Sequence, residues 1–256
     1  MKLFKLTFGV LMMSAMLFTS IRMWGVNQSY RPFESAFFQN SQAKDLLEIV
    51  IPWEQGFLLE KNPQWILWAD TYLGDGENLL VKPWADRNLA KKDLEKSPTP
   101  ARPLLKDLLL KYPQSRFVVN CNENTVDIHH QLMQVIEQAK ARDRVLLQSD
   151  YNTILDSAKE LSPMMVYGST PADLTRLKAF NSLFLLPTAP FKSDVLFANL
   201  TYHQRNTIDR DISQELRHRF KKVFLGPLKS KDELQKALDI GVDGVFLEDP
   251  FLAPRP

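Results

Sequence analysis

Lys229–Pro250 reads KSKDELQKALDIGVDGVFLEDP, and this stretch decides the fold. Ser230 followed three residues later by Glu233 is a capping box, in which each side chain satisfies a backbone N–H at a helix start. Leu234, Ala237 and Leu238 continue at helical spacing as one apolar stripe. Gly241 suits the left-handed turn that ends a helix. Gly244–Leu247 (GVFL) then forms a short apolar run between Asp243 and Glu248, the pattern of a strand buried on both faces. A capped helix, a glycine turn and a buried strand make one unit of an alternating α/β chain.

Working back toward the N-terminus, the same kind of strand recurs. Leu46–Ile51, Trp65–Trp68, Phe117–Val119, Arg144–Leu147, Met164–Tyr167, Val195–Ala198 and Lys222–Leu225 are short apolar runs with turn residues at their borders. Amphipathic patterns lie between them; in Thr125–Ala141, Ile128, Leu132, Val135, Ile136 and Ala139 line one face. Strands alternating with helices predict a parallel sheet covered by helices. No G-x-G-x-x-G or P-loop glycine pattern follows any strand, which argues against a dinucleotide fold. The expectation is a closed (β/α)8 TIM barrel, for which about 250 residues is an ordinary length. Gly74–Pro103 reads as a polar loop carrying one short helix.

Composition narrows function mainly by exclusion. The 256 residues are 45% hydrophobic and 24% charged, which rules out a disordered or fibrous chain. Thirty-two Lys+Arg against thirty Asp+Glu leave +2, too balanced for a surface built to neutralise nucleic-acid phosphates. Cys121 is the single cysteine, so no intramolecular disulfide and no cysteine-based zinc site can form. At the N-terminus, Lys2 and Lys5 precede the uncharged stretch Leu6–Ile21, which ends at Arg22. A positive start and an apolar run predict an export signal over residues 1–22, removed or retained as a membrane anchor, ahead of a barrel over 23–256.

The order of these pieces resembles the glycerophosphodiester phosphodiesterase family of the phospholipase-C-like phosphodiesterases. Lys229–Pro250 is similar to the last helix and strand of that family. Arg102–Asn124 (RPLLKDLLLKYPQSRFVVNCNEN) is similar to its helix, loop and third strand, and Asp143–Leu155 to the strand that follows. Pro32–Val50 resembles its first helix and second strand, with Phe33-Glu34-Ser35 near the family's Glu-Asn-Thr turn. Family members use a His after the first strand, a Glu-x-Asp pair on the second, a His-Asp after it and a Glu-x-Lys on the third. The carboxylates hold Ca²⁺ or Mg²⁺ and the histidines move protons.

Set against that pattern, the resemblance puts Glu48 at the first carboxylate, with Val50 in its partner's place. The His-Asp becomes Ala69-Asp70, and the Glu-x-Lys becomes Asn120-Cys121-Asn122. The first strand is expected to begin almost at Arg22, where the family's first His has no counterpart near Arg22–Asn27, and the seventh strand's Trp-Thr becomes Gly226-Pro227. Glu48 and Asp70 are thus the remnant catalytic candidates, and Glu48 the candidate metal ligand if the site is active. Asn120, Asn122, Asp150 and Glu248 fall at predicted strand ends, where barrels bind substrate. Two readings follow: a scaffold that binds a phosphodiester or lipid headgroup, a glycan or a protein partner at the barrel mouth, without a cofactor; or a hydrolase using Ca²⁺ or Mg²⁺ on a rearranged carboxylate set.

Other groups invite sharper readings that the pattern does not favour. His129 and His130 with Asp127 suggest a metal site, but adjacent helical side chains diverge by about 100°. His203 and His218 fall in a charged stretch read as loop and exposed helix. Cys121 could be a nucleophile, though nothing in the pattern brings a histidine to it. Trp53, Trp65, Trp68 and Trp84 could form a ligand platform or simply pack.

Overall fold

The computed structural model describes residues 2–32, 35–39, 47–74, 78–89, 91–94, 102–125, 127–202 and 205–254. Phe33, Glu34 and His203 lie outside the described residues. In chain order the elements are α1 (Lys2–Val26), α2 (Ala36–Gln39), β1 (Glu48–Pro52), β2 (Ile66–Leu73), β3 (Leu79–Lys82), α3 (Lys91–Leu94), α4 (Leu105–Lys111) and β4 (Arg116–Cys121). They continue as α5 (Ile128–Gln138), β5 (Val145–Gln148), α6 (Asn152–Leu161), β6 (Val166–Tyr167), α7 (Pro171–Ser182) and β7 (Val195–Ala198). The chain closes with β8 (Thr201–Tyr202), β9 (Arg205–Asn206), α8 (Arg210–His218), β10 (Lys222–Leu228), α9 (Lys231–Ile240) and β11 (Gly244–Leu247).

Eight strands pair in parallel in the order β6-β5-β4-β2-β1-β11-β10-β7. A parallel bridge between Gly168 and Val195 joins the two ends of that series, so the sheet returns on itself as a (β/α)8 TIM barrel. Period-two alternation along each strand sorts side chains into two cores. Val50, Ile66, Val118, Leu146, Val166, Val195, Phe224 and Phe246, one from each barrel strand, fill the interior, and Phe37 of α2 plugs it from below. The outward-facing residues form a second, larger core with the helices, which takes in Leu67, Phe117, Leu132, Leu155, Leu216 and Val245.

The closing unit forms as its sequence predicts, with two differences: Leu238 is exposed and Ile240 completes the buried stripe, and Glu233 accepts from the Lys229 N–H rather than that of Ser230. The Ser230 side chain accepts from the Glu233 N–H at 3.2 Å, and Gly241 ends α9 at φ 80°. Two sequence expectations need correction. Gly74–Pro103 is not all loop: β3 folds back antiparallel on β2, pairing Asp70 with Lys82. The apolar run Leu79-Leu80-Val81 already carried that strand, but the surrounding polar residues masked it.

The second correction has larger consequences. Arg22–Val26 is the end of a helix, not a first strand, so the first barrel strand is Glu48–Pro52. Met23-Trp24-Gly25-Val26 has no strand to pair with and continues the helical run instead. The end of α1 docks beside the loop before β7: a Cβ on Gly25 would stand 2.6 Å from Thr188 Cγ2. Tyr30 packs edge-on to His218, with ring centroids 5.7 Å apart, beneath the Arg219 guanidinium. Those segments precede β7 and β10, so α1 joins the barrel at the N-terminal ends of its strands. Leu11, Met13 and Leu17 farther up the helix are exposed. Among the described residues no helix is long and apolar enough to cross a membrane.

Candidate functional site

The C-terminal ends of the strands, where barrels place their chemistry, open into a cleft of about 850 Å³. Its floor is aromatic because Trp68 and Phe197 follow the interior residues Ile66 and Val195 by two positions, and Phe246 is itself the interior residue of β11. Trp68 stacks on Phe246 at 4.8 Å and 15°, Phe197 meets Trp68 edge-on at 5.6 Å, and Trp84 meets Phe246 edge-on at 4.6 Å. Arg87 covers the outer face of Trp84 with its guanidinium 3.8 Å from the ring centre. It is held there by Glu248 Oε1 at 2.7 Å and by the Trp84 carbonyl at 3.0 Å. Of the four tryptophans in the early cluster, Trp68 and Trp84 line the cleft. Trp53 donates to the Lys82 carbonyl and Trp65 packs in the outer core.

One wall is a row of polar side chains set by strand register. Asp70 pairs with Asn120 across β2 and β4, and Asn120 with Gln148 across β4 and β5. Asn120 Nδ2 donates to Asp70 Oδ1 at 2.5 Å. Burial pushes the Asp70 carboxyl above the usual carboxylate range; the hydrogen bond from Asn120 and the nearby Trp68 indole, then the charges of Lys82 and Arg87, oppose that push. Gln148 Nε2 donates to the Ser169 carbonyl at 2.9 Å. A Cβ on Gly168 would collide with Gln148 Oε1, so only glycine leaves room for that amide. Gly226, at φ 155°, has the same role across the mouth, since a Cβ there would crowd Phe246.

The sequence candidates divide sharply by location. Asp70, Asn120, Asn122 and Asp150 line the cleft together. Asn122 Oδ1 accepts from the Asp150 backbone N–H at 2.9 Å, and burial raises the Asp150 carboxyl. Glu248 instead holds Arg87 and approaches Lys229 at 3.7 Å, so it supports the rim and does not line the cleft. Glu48 is a correction. It is the first residue of β1 and lies at the barrel's floor, where it accepts from Arg116 Nη1 at 2.9 Å and Nη2 at 2.7 Å. Val50 pairs with Ile66, so Asp70 stands about six residues higher, roughly 20 Å along the strands at about 3.3 Å each. The rearranged set of Glu48, Asp70, Asp150 and Glu248 is therefore not assembled.

With β1 as the first strand, the family's Glu-x-Asp pattern falls on Trp68-Ala69-Asp70 of β2, and the mouth keeps Asp70 rather than Glu48. Every histidine follows residue 128 in the sequence, so none can follow the first or second strand. His218 lies at the floor beside Tyr30. Cys121 is fully buried in the outer core, and burial raises its thiol. At the start of α5, ligand atoms of Asp127, His129 and His130 lie within 4.8 Å of one another, closer than divergent helical side chains were expected to come. Asp127 is left-handed there (φ 63°), and the two imidazole centres are 4.3 Å apart.

Sequence reasoning missed Glu54, in the turn just beyond β1. Its carboxylate accepts from the Trp84 N–H. Its carboxyl is raised by burial, with backbone hydrogen bonds opposing and the charge of Asp70 adding to the rise. It also missed Gln148, Arg87 and Thr207. Gln148 was legible, since it follows Leu146 by the strand period of two.

The comparisons agree with this architecture. No family model matches the sequence, and no curated protein matches it. Solved structures do. A glycerophosphodiester phosphodiesterase from Parabacteroides distasonis superposes with a TM-score of 0.60 at 14% identity, covering 82% of this chain and 95% of its own. The fold is that of the glycerophosphodiester phosphodiesterases. A phosphodiesterase from Oleispira antarctica, solved with its product sn-glycerol-3-phosphate, gives 0.56 at 14% identity over 84% and 95% of the two chains. The enzyme from Agrobacterium tumefaciens gives 0.55 at 9% over 81% and 99%.

The family's divalent cation is a poor fit to this mouth. A hard cation of that kind wants six or more oxygens with several carboxylates among them. Here Asp70 is the inward carboxylate of its strand, one of its oxygens is taken by Asn120, and Lys82 and Arg87 both act on it. Asn120 and Asn122 stand where the resemblance puts the family's carboxylate and lysine.

Proposed function

We propose that this chain is an exported phosphodiesterase-fold barrel that binds a ligand at its mouth without hydrolysing it, tethered to a membrane through residues 1–22. The supporting observation is the separation of parts. The wide, walled cleft has the form of a binding site, while the remaining family-type acidic group, Asp70, stands without a histidine among the described residues and without the Glu-x-Lys charges. Proton transfer at neutral pH needs a group that titrates there, and imidazole is the ordinary one. A tether through α1 would leave the cleft facing away from the bilayer, because α1 joins the opposite end of the barrel.

One observation favours a working hydrolase instead. Glu54 and Asp70 are both raised by burial, and the charge of Asp70 adds to the rise at Glu54, an arrangement by which neighbouring carboxylates can divide acid and base roles. Hydrolysis of glycerophosphocholine by the full-length chain separates the two readings, measured with Ca²⁺ or Mg²⁺ and with EDTA. Absence of turnover in a folded, monodisperse sample is the expected result. Metal-dependent turnover that disappears in Asp70→Asn overturns the binding reading.

A further inference from the structure

Among the described residues, Trp68 Nε1, a donor, is unpaired in the cleft, beside three buried side-chain oxygens that make no hydrogen bond: Asn120 Oδ1, Gln148 Oε1 and Thr207 Oγ1. Their residues are only 9%, 5% and 5% exposed, and all three line the same cleft. A buried polar atom left unpaired costs about 1–3 kcal/mol, so a cluster of three points to a missing partner. The chemistry of that partner can be read from the amides, because their orientation is fixed. Asn120 must turn its Nδ2 to the Asp70 carboxylate, and Gln148 its Nε2 to the Ser169 carbonyl. What each offers to the cleft is therefore a carbonyl oxygen, an acceptor.

A ligand meeting these oxygens has to donate, and one that also meets the Trp68 N–H has to accept; a hydroxyl can do both. A phosphodiester has only acceptor oxygens, and here it would face two carbonyl oxygens together with Asp70 and Asp150. Of the two cations among the described residues that line the cleft, Arg87 is held by Glu248 and the Trp84 carbonyl, and Lys178 is an exposed residue of α7 at the rim. A quaternary ammonium would suit the aromatic floor but brings no proton for the three acceptors. A sugar ring brings both features: an apolar C–H face for Trp68 and Trp84, and a rim of hydroxyls.

We propose that the mouth takes an uncharged, hydroxyl-rich ligand, a glycan, whose hydroxyls donate to Asn120, Gln148 and Thr207 while a ring face lies on the tryptophans. This rests on the binding reading above and names its ligand class.

The test is a tryptophan-fluorescence titration of the full-length chain with maltotriose and with triacetylchitotriose, beside glycerophosphocholine, at about 0.1 M and about 1 M salt. Saturable binding of either trisaccharide is expected, little changed by salt, and weakened about tenfold in Gln148→Leu. Thr207→Val, which keeps the side chain's shape, should weaken it as well and guards against a folding defect in the first variant. Binding of neither trisaccharide at millimolar concentration overturns the proposal. So does tighter, salt-sensitive binding of glycerophosphocholine. If glycerophosphocholine binds intact, the glycan proposal alone fails; if it is cleaved, the non-hydrolytic reading fails with it.

Discussion

The two ends of this barrel treat a buried carboxylate in opposite ways. At the floor, Glu48 is met by both arms of Arg116, whose guanidinium also donates to the carbonyls of Phe37 and Gln64. At the mouth, Asp70 has an amide partner and a raised carboxyl, and the acceptors beside it have no partner. Both residues point inward on neighbouring strands. The floor satisfies its charges internally and is finished as structure, whereas the mouth leaves its polar atoms open to something from outside.

The contrast can be broken most forcefully at the floor. Arg116→Met leaves Glu48 buried and unpaired, and should cost about 3–5 kcal/mol in urea unfolding. A loss below about 1 kcal/mol would mean that the pair is not holding the floor together. Next in size is Gly168→Ala, which drives a methyl group into Gln148 Oε1. It should cost about 1–3 kcal/mol and disturb the cleft more than the floor. A stability equal to wild type would show that the Gln148 amide has room to move.

Asp70→Asn should act in the other direction. Burial holds the Asp70 carboxyl above its ordinary value, so the native state keeps a proton that the unfolded chain has already lost. Its contribution to stability is therefore present at low pH, and declines as pH rises from the ordinary carboxylate value through the raised one. The variant should be more stable than wild type at pH 7, by on the order of 1 kcal/mol. That gain should vanish in urea melts near pH 3. A variant less stable at neutral pH would mean that the Asp70 charge supports the fold. The smallest effect belongs to Thr207→Val, which removes an atom with no internal partner and should leave the unfolding midpoint unchanged or slightly raised. A clear loss would reveal a partner and remove one support from the open-mouth account.

Much of this architecture was legible because it rests on periodicity. Gly244–Leu247 and Val195–Ala198 are strands over the limits the sequence suggests, and the Ser230 cap and Gly241 turn are where their residue types put them. The site was harder to read for a physical reason. Period two shows that Glu48 and Asp70 face inward, but not which end of the barrel each occupies; that depends on how many strands precede them. Taking Arg22–Asn27 for a strand moved the count by one and carried Glu48 from floor to mouth. The Asp70–Asn120–Gln148 row depends on register between paired residues up to 50 apart in sequence, which no local pattern encodes. Trp84 and Arg87 reach the cleft only because β3 folds back on β2.

The central claim is that the mouth lost its divalent-cation chemistry and kept a binding cleft. A calorimetric titration of the full-length chain and its Asp70→Asn variant with Ca²⁺ tests it most directly. The account predicts no saturable binding in the millimolar range and no difference between the two proteins. Saturable Ca²⁺ binding that disappears in Asp70→Asn would contradict it, and would return the mouth to the metal-dependent hydrolases whose fold it shares.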